Sequence, residues 1–133
     1  GESKENSFRG NSGSSGNFFS KIFILIMSKY FKDIEYKMDV DFLAKLDEAR
    51  EYAEIPFIIN SAYRSPEHKE SIKNPTSSHI KGLAVDIKAK DSKTRGIILE
   101  ALRSVGFTRI GIAKTFIHVD LDYSKSQNVT WLY

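Results

Sequence analysis

Two histidines and one aspartate have the side-chain types of a metal-binding site. His79 and Asp86 lie in one short segment of the chain, and His118 lies in a second segment of sequence Phe-Ile-His-Val-Asp. Two neutral imidazoles and one carboxylate form a three-ligand set that suits zinc and leaves a fourth position open for water. A closed structural zinc site usually has four protein ligands, often thiolates, and this chain has no cysteine. If the three side chains meet in space, the sequence predicts a metal-dependent hydrolase.

Two predicted strands present candidate ligands on a face that does not enter the core. In residues 83–89, Asp86 is out of phase with the apolar side chains on either side of it. In residues 115–121, the side chains predicted to face the core are those of Thr115, Ile117, Val119 and Leu121. His118 and Asp120 then lie on the opposite face, so that each of the two strands presents a candidate ligand.

The rest of the chain has the patterns of two helices, two further strands and a long loop. In chain order, we predict a helix at 39–54, a strand at 57–61, a loop with one helical turn at 64–79, a helix at 92–105 and a strand at 107–113. Asp39 and Ser92 are the predicted N-caps, and Gly106 ends the second helix. His68, in the long loop, is predicted to be exposed. This order indicates an α+β domain with helices packed on a small, mainly antiparallel sheet.

The composition indicates a single globular domain. A chain of 133 residues can form one domain with a core, but not two ordinary ones. The net charge of +3 does not indicate a nucleic-acid partner, although a mildly basic surface suits an anionic polymer such as a cell wall. No apolar run is long enough to cross a bilayer, so no membrane span is predicted. The absence of cysteine excludes a disulfide framework.

The first 26 residues differ in composition from the rest of the chain. Residues 1–17 are rich in Ser, Gly and Asn and are predicted to be a flexible linker. Residues 18–26 are apolar and are predicted to add a strand to the domain or to dock on a partner chain. No small-residue cleavage site follows them, which argues against an export signal. We therefore divide the chain into an N-terminal segment, 1–26, which is native or vector-derived, and a domain, 27–133.

Further motifs occur together with the candidate ligands. They are Ser-Ala-Tyr-Arg-Ser-Pro at 61–66, Ser-His-x-x-Gly-x-Ala-x-Asp at 78–86, His-x-Asp at 118–120 and Asn-Val-Thr-Trp-Leu-Tyr at 128–133. With the helix that precedes the arginine motif, this combination resembles the zinc D-Ala-D-Ala carboxypeptidase family, the M15 peptidases, over residues 28–133. Several phage endolysins with L-alanyl-D-glutamate endopeptidase activity belong to that family, and the hedgehog signalling domain shares its fold.

The resemblance implies a role for each matching residue. The implied zinc ligands are His79, Asp86 and His118. The implied substrate-binding residues are Tyr63, Arg64 and Ser78. Arg64 would also be catalytic, holding a substrate carboxylate or the oxyanion, because a rigid guanidinium fork suits either task better than lysine. The two histidines and one aspartate fit zinc best, although manganese, cobalt and iron are also compatible with them.

The general base departs from the pattern of many family members. They place a glutamate three residues before the last histidine, where this chain has Thr115. Asp120 is the predicted catalytic base, since it lies on the ligand face two residues beyond His118. Alternatively, Asp120 orients a ligand histidine. Asp122 and Glu67 are the other candidate bases.

The function implied by the resemblance is zinc-dependent hydrolysis of a peptide bond in peptidoglycan stem peptides. The cut would release a terminal D-Ala or open the L-Ala–D-Glu bond, with the long loop at 64–79 holding the substrate. The lack of a clear export signal favours a phage-encoded lysin, which passes from host cytoplasm to periplasm and wall or travels in the virion, over a secreted bacterial enzyme. The alternative is a non-catalytic cell-wall-binding or virion structural module. The threonine at position 115 and the apolar segment 18–26 favour that alternative.

Overall fold

The structure is a computed structural model that describes residues 28–133. The predictions for the N-terminal segment 1–26 lie outside the described residues. The helices are α1 (Val40–Ala53), α2 (Lys69–Lys73) and α3 (Ser92–Ser104), preceded by a short 3-10 helix at Lys32–Ile34. The strands are β1 (Ile59–Ser61), β2 (Ala84–Lys88), β3 (Arg109–Ile112), β4 (Phe116–Asp120) and β5 (Val129–Leu132). No helix within residues 28–133 is long and apolar enough to cross a membrane.

Within the described residues, the strands form a single sheet in the order β1-β2-β4-β3-β5. Every neighbouring pair is antiparallel except β3 and β5, which are parallel. The α+β class and the mainly antiparallel sheet are therefore as predicted. Strand β5 forms an edge of the sheet next to β3 and was not predicted from the sequence.

The first helix begins and ends as its sequence predicts. The Asp39 side chain accepts a hydrogen bond from the Phe42 backbone N–H at 2.9 Å, which satisfies one of the unpaired N–H groups at the helix N-terminus. The apolar faces of α1 and α3 contact each other and cover one face of the sheet. Their fully buried residues are Phe42, Leu43, Leu46, Ala49, Ile98, Ala101 and Leu102.

Two local predictions were wrong. The N-cap of α3 is Asp91 rather than Ser92, because the Asp91 carboxylate accepts from the Thr94 N–H at 2.8 Å and Ser92 is the first helical residue. Thr115 does not face the core. The backbone N–H of Ala113 donates to the carbonyl of Phe116 at 2.9 Å, which closes a turn and leaves Thr115 exposed before β4 begins.

The two faces of the sheet are as different as the alternation predicts. Ile87, Ile117 and Val119 are fully buried against the helices. Side chains in the opposite phase form a row across the other face, because the register aligns Asp86 with His118, His118 with Gly111, and Gly111 with Trp131. This row joins four strands and positions the candidate site.

Candidate active site

The three predicted metal ligands come together on the helix-free face of the sheet. One ligand atom from each of His79, Asp86 and His118 lies within 4.8 Å of the others. Asp86 Oδ1 is 3.3 Å from His79 Nε2 and 3.2 Å from His118 Nδ1. A tetrahedral ion with bonds of about 2.0–2.1 Å would have ligand atoms about 3.3 Å apart. The two distances therefore match neighbouring corners of a tetrahedral site.

The hydrogen bonds of the two imidazoles direct their free nitrogens to the same point. His79 Nδ1 is 2.9 Å from the carbonyl of Ala62, and because a carbonyl only accepts, this nitrogen carries the hydrogen. His118 Nε2 is 2.7 Å from the carboxylate of Asp120 and likewise donates. In neutral rings, the lone pairs of His79 Nε2 and His118 Nδ1 then both face Asp86 Oδ1. Three acceptors that converge in this way fit a bound cation.

The charges of the site are coupled. Burial acts to raise the pKa of Asp86, but the hydrogen bonds and charges of His118 and His79 outweigh it and hold this pKa well below its usual range. Burial acts to lower the pKa of His118, but the carboxylates of Asp120 and Asp86 outweigh it and raise this pKa above its ordinary value. The site therefore keeps Asp86 ionised and attracts positive charge, whether protons or a metal ion.

The loop between β1 and β2 positions His79. The carbonyl of His79 accepts from the backbone N–H of Arg64 at 3.1 Å and from that of Gly82 at 3.2 Å. Gly82 has φ of 71°, and its carbonyl accepts from Asp39 N at 2.9 Å. A Cβ at position 82 would lie 2.1 Å from the carbonyl oxygen of Lys37, so only glycine fits. The loop is thus joined through Arg64 to the chain just after β1 and through Gly82 to the segment before α1. These two connections hold His79 in place.

Asp120 lies behind His118 rather than free in the cavity. Its side chain is 1% exposed, with Oδ2 against His118 Nε2 and Oδ1 at 2.7 Å from Arg109 Nε. Oδ1 also accepts from the backbone N–H of Asp122 at 3.2 Å. Burial acts to raise the pKa of Asp120, but His118 and Arg109 outweigh it and lower this pKa. Because both oxygens are occupied, the geometry suits the role of orienting His118 better than that of a base.

The other candidate bases lie elsewhere. Asp122 is 1% exposed and accepts from Ser78 Oγ at 2.7 Å and from Lys81 Nζ at 3.0 Å, so its carboxylate is committed to the loop that carries Ser78. Glu67 is exposed. Neither carboxylate lines the cavity above the ligands. His68 is exposed as predicted, and its ring accepts from the Glu70 N–H at 3.1 Å at the start of α2.

A cavity of about 380 Å³ opens over the three ligands. Its lining residues are Arg64, Asn74, Ser77, Ser78, His79, Asp86, Arg109, Phe116, His118, Asp120, Lys125, Trp131 and Tyr133. Arg64 Nη2 donates to Ser61 Oγ at 2.9 Å, and no carboxylate of residues 28–133 forms an ion pair with Arg64. The guanidinium is therefore available to an anionic ligand.

The structure brings Arg64 and Ser78 to the cavity, but not Tyr63. The Tyr63 ring packs edge-on against Tyr36, with ring centroids 6.0 Å apart, and against the core.

Several lining residues were missed by the sequence analysis. Arg109, Lys125, Trp131 and Tyr133 all lie after the second helix, in segments to which only a strand or no structure was assigned. The alternation of Val129, Trp131 and Tyr133 is the signal that could have identified β5, which contains Trp131 and is followed directly by Tyr133.

The chain is similar to known proteins in both sequence and structure. A sequence model of the family described as Peptidase M15 matches residues 23–120. The crystal structure of Serratia marcescens L-Ala D-Glu endopeptidase ChiX is similar with a TM-score of 0.55 and 18% sequence identity, over 73% of this chain and 90% of that one. No curated protein matches the chain. The structural likeness shows a shared fold, the predicted resemblance is confirmed, and the chain belongs to the M15 peptidase family.

Proposed function

We propose that this chain is a zinc-dependent peptidase that cleaves stem peptides of peptidoglycan. The observation that carries the proposal is the convergence of His79 Nε2 and His118 Nδ1 on Asp86 Oδ1, at 3.3 and 3.2 Å, beneath a cavity that also contains Arg64. Membership of a peptidase family supports hydrolysis of a peptide bond. Two neutral nitrogens and one carboxylate oxygen are a donor set that zinc prefers.

The proposed bond is that between L-Ala and D-Glu. The support is that the similar crystal structure is of an L-Ala D-Glu endopeptidase. The cavity also suits an acidic substrate, because Arg64 and Lys125 line it and Arg64 has no carboxylate partner within the described residues. Release of a terminal D-Ala is the other reaction open to such a site. Fragment masses distinguish the two.

Each residue of the site has its own proposed role. His79, Asp86 and His118 would hold the ion, which when bound supplies a Lewis acid and a water whose pKa is lowered to about 7. Arg64 binds a substrate carboxylate through its planar fork of donors. Asp120 keeps the His118 ring in the tautomer that presents Nδ1. Trp131 and Tyr133 line one side of the cavity and form its aromatic wall.

The experiment is digestion of purified peptidoglycan with zinc-supplied protein, followed by mass spectrometry of the soluble fragments. We expect new fragments from the wild type and none from His118→Ala. His68→Asn is the matched control, because His68 is exposed, lies outside the cavity and keeps a capping side chain as asparagine. That variant should release the same fragments as the wild type. A folded, zinc-loaded wild type that releases no fragments from any wall type would refute the proposal.

Two observations favour a second candidate function, a non-catalytic wall-binding module. Thr115 replaces the glutamate expected in many family members, and both oxygens of Asp120 are already hydrogen-bonded. Such a module would co-sediment with peptidoglycan and release nothing from it. Sedimentation of the wild type and of Arg64→Ala, alongside the digestion, separates binding from cleavage.

A further inference from the structure

Arg109 lies one contact beyond the candidate metal ligands. It is on β3, opposite Asp120 on β4, as the neighbouring pair Ile110 and Val119 shows. Arg109 contacts Asp120, and Asp120 in turn contacts His118. We propose that Arg109 is a positioning residue: it holds the Asp120 carboxylate in the orientation that fixes the His118 ring with Nδ1 towards the metal.

The guanidinium of Arg109 is held on three sides. Nε donates to Asp120 Oδ1 at 2.7 Å, and Nη1 donates to the carbonyl of Ser126 at 2.7 Å. The guanidinium carbon lies 5.0 Å from the centroid of the Trp131 ring. The side chain is 11% exposed, so solvent screens the ion pair little. A planar group fixed at three points cannot follow a rotating carboxylate, and it therefore sets the orientation of Asp120.

Asp120 depends on this contact. Of its two oxygens, Oδ2 faces His118, while Oδ1 accepts from Arg109 at 2.7 Å and from the Asp122 N–H at 3.2 Å. Without Arg109, Oδ1 keeps only the longer of its two bonds, and the carboxylate can turn away from His118. The imidazole then loses the partner that fixes its tautomer, and either ring nitrogen can carry the hydrogen.

The Arg109 side chain lies on the face of the sheet that carries the candidate metal ligands and not on the face that packs against the helices. Arg109 is on the same face of the sheet as His118 and Trp131, whereas its neighbour Ile110 is fully buried against the helices. A structural role would lower the stability of the metal-free protein and leave the metal affinity of folded molecules unchanged. A positioning role lowers the metal affinity itself.

The inference rests on the proposed function in that it needs a metal at the three ligands, but it does not need catalysis. The variants are Arg109→Gln, which removes the charge and the Nε donor, and Arg109→Lys, which keeps a charge that can reach Asp120. Arg95→Gln is the matched control, because Arg95 is a partly exposed arginine of α3 that donates to the Lys114 carbonyl and does not line the cavity.

Two readouts are measured for each purified variant: the zinc dissociation constant by competition with a chromophoric chelator, and the visible absorption spectrum of the cobalt-loaded protein. We expect Arg109→Gln to bind zinc about tenfold more weakly and to change the cobalt spectrum, because loss of a partner behind a metal ligand typically has an effect of this size. Arg109→Lys should recover part of the affinity. Arg95→Gln should behave as the wild type does.

The outcomes separate this inference from the proposed function. An Arg109→Gln protein with wild-type zinc affinity and cobalt spectrum would overturn the inference, even if its melting temperature were lower. If that variant does not fold, the same comparison is made with Arg109→Lys. A wild type that binds zinc but cleaves no peptidoglycan would refute the proposed function and leave the inference standing. A wild type that binds no metal would refute the metal centre and with it the inference.

Discussion

Asp86 and His118 lie directly opposite each other in the antiparallel pair β2–β4, with Asp86 Oδ1 3.2 Å from His118 Nδ1. One strand pairing thus sets the distance between two of the three candidate ligands. A shift of register by one residue would turn one of these side chains into the core. The helix-facing partners Val85, Ile117 and Val119, which are fully buried, fix that register. Core packing therefore determines the geometry of the site.

The first prediction concerns Asp86→Asn. The substitution keeps the size of the side chain but removes its charge, and an amide oxygen is a poor zinc ligand beside two imidazoles. We expect zinc affinity to fall by at least about a hundredfold. Loss of a residue that only supports a metal ligand lowers affinity by about tenfold to a hundredfold, and Asp86 is itself a candidate ligand. Peptidase activity should be lost with it. Equilibrium dialysis with metal analysis measures the bound zinc.

Asp33→Asn serves as the control for that experiment, since Asp33 is exposed and outside the cavity. It should bind one zinc ion as the wild type does. Stoichiometric zinc in Asp86→Asn at low micromolar free metal would show that the ion is held elsewhere.

The second prediction separates the two roles of Asp120. Asp120→Asn leaves the shape of the side chain but weakens its hydrogen bond with His118 Nε2 and its ion pair with Arg109. If Asp120 orients His118, zinc affinity should fall about tenfold to a hundredfold. If it is the base, kcat should fall by about 10²–10⁴ with zinc affinity unchanged. We expect the first result, because both oxygens of Asp120 are occupied.

Measurement of kcat at saturating zinc, next to the chelator competition, distinguishes the two cases. A variant that binds zinc like the wild type and has lost most of its kcat would contradict the orienting role.

The sequence was most informative where local pattern determines structure. Alternation along β4 predicted that His118 and Asp120 share a face, and the Asp39 cap predicted the start of α1, because both features depend on residues only a few positions apart. Asp91 and Ser92 are both capable N-caps. The choice between them depends on which residue takes the extended backbone conformation, and sequence does not specify this.

The missed part of the site depends on contacts between distant segments. β5 pairs in parallel with β3 about twenty residues earlier in the chain, and no turn signal joins the two. The cavity roles of Arg109 and Trp131 follow from that pairing, since they lie side by side only in the folded sheet. The contact between Arg109 and Asp120 depends instead on the register of the β3–β4 pair, whose two strands were predicted but whose register was not.

The third prediction concerns Arg64→Lys. Lysine keeps the positive charge but replaces the planar fork by a single point charge, so a bidentate contact with a substrate carboxylate is lost. We expect KM for a defined stem peptide to rise about tenfold, which corresponds to about 1.4 kcal/mol, with a smaller change in kcat. Steady-state kinetics on the synthetic peptide measures both constants.

Arg95→Lys is the control for a lost guanidinium outside the cavity and should leave KM unchanged. An Arg64→Lys enzyme with wild-type KM would exclude a carboxylate contact at this residue.

The fourth prediction is a pH dependence of stability that comes from Asp122. Burial acts to raise the pKa of Asp122, but hydrogen bonds from Ser124, Ser78 and Lys81 outweigh it and hold this pKa well below its usual range. Because the folded pKa is lower than the unfolded value of about 3.9, Asp122 contributes stability that is present above about pH 4. That stability is lost as the pH falls through the folded pKa.

Asp122→Asn should therefore lower the free energy of unfolding at pH 7 by about 2–4 kcal/mol, since Lys81 and Ser78 lose an ionised acceptor. The difference from the wild type should shrink below about pH 4. Urea unfolding of the metal-free proteins at pH 7, 5 and 3 measures it. A difference that stays constant over this range would mean that the Asp122 charge does not stabilise the fold.

The fifth prediction concerns Gly111→Ala. Gly111 is opposite His118 on one side and Trp131 on the other, and a Cβ there would lie 2.5 Å from Trp131 Nε1 and 2.8 Å from the Tyr133 ring. The methyl group should displace both aromatic rings from the cavity wall and destabilise the protein by about 1–3 kcal/mol. Because the chain has one tryptophan, its fluorescence reports the displacement directly.

Gly96→Ala is the matched control, because no atom lies within 4 Å of a Cβ at this exposed position of α3. It should stabilise the helix by about 0.5–1 kcal/mol and leave tryptophan fluorescence unchanged. Displacement of Trp131 also removes the ring that stacks on Arg109, so Gly111→Ala should weaken zinc binding as Arg109→Gln does, but less strongly. Wild-type fluorescence and stability in Gly111→Ala would show that the aromatic wall does not need a glycine behind it.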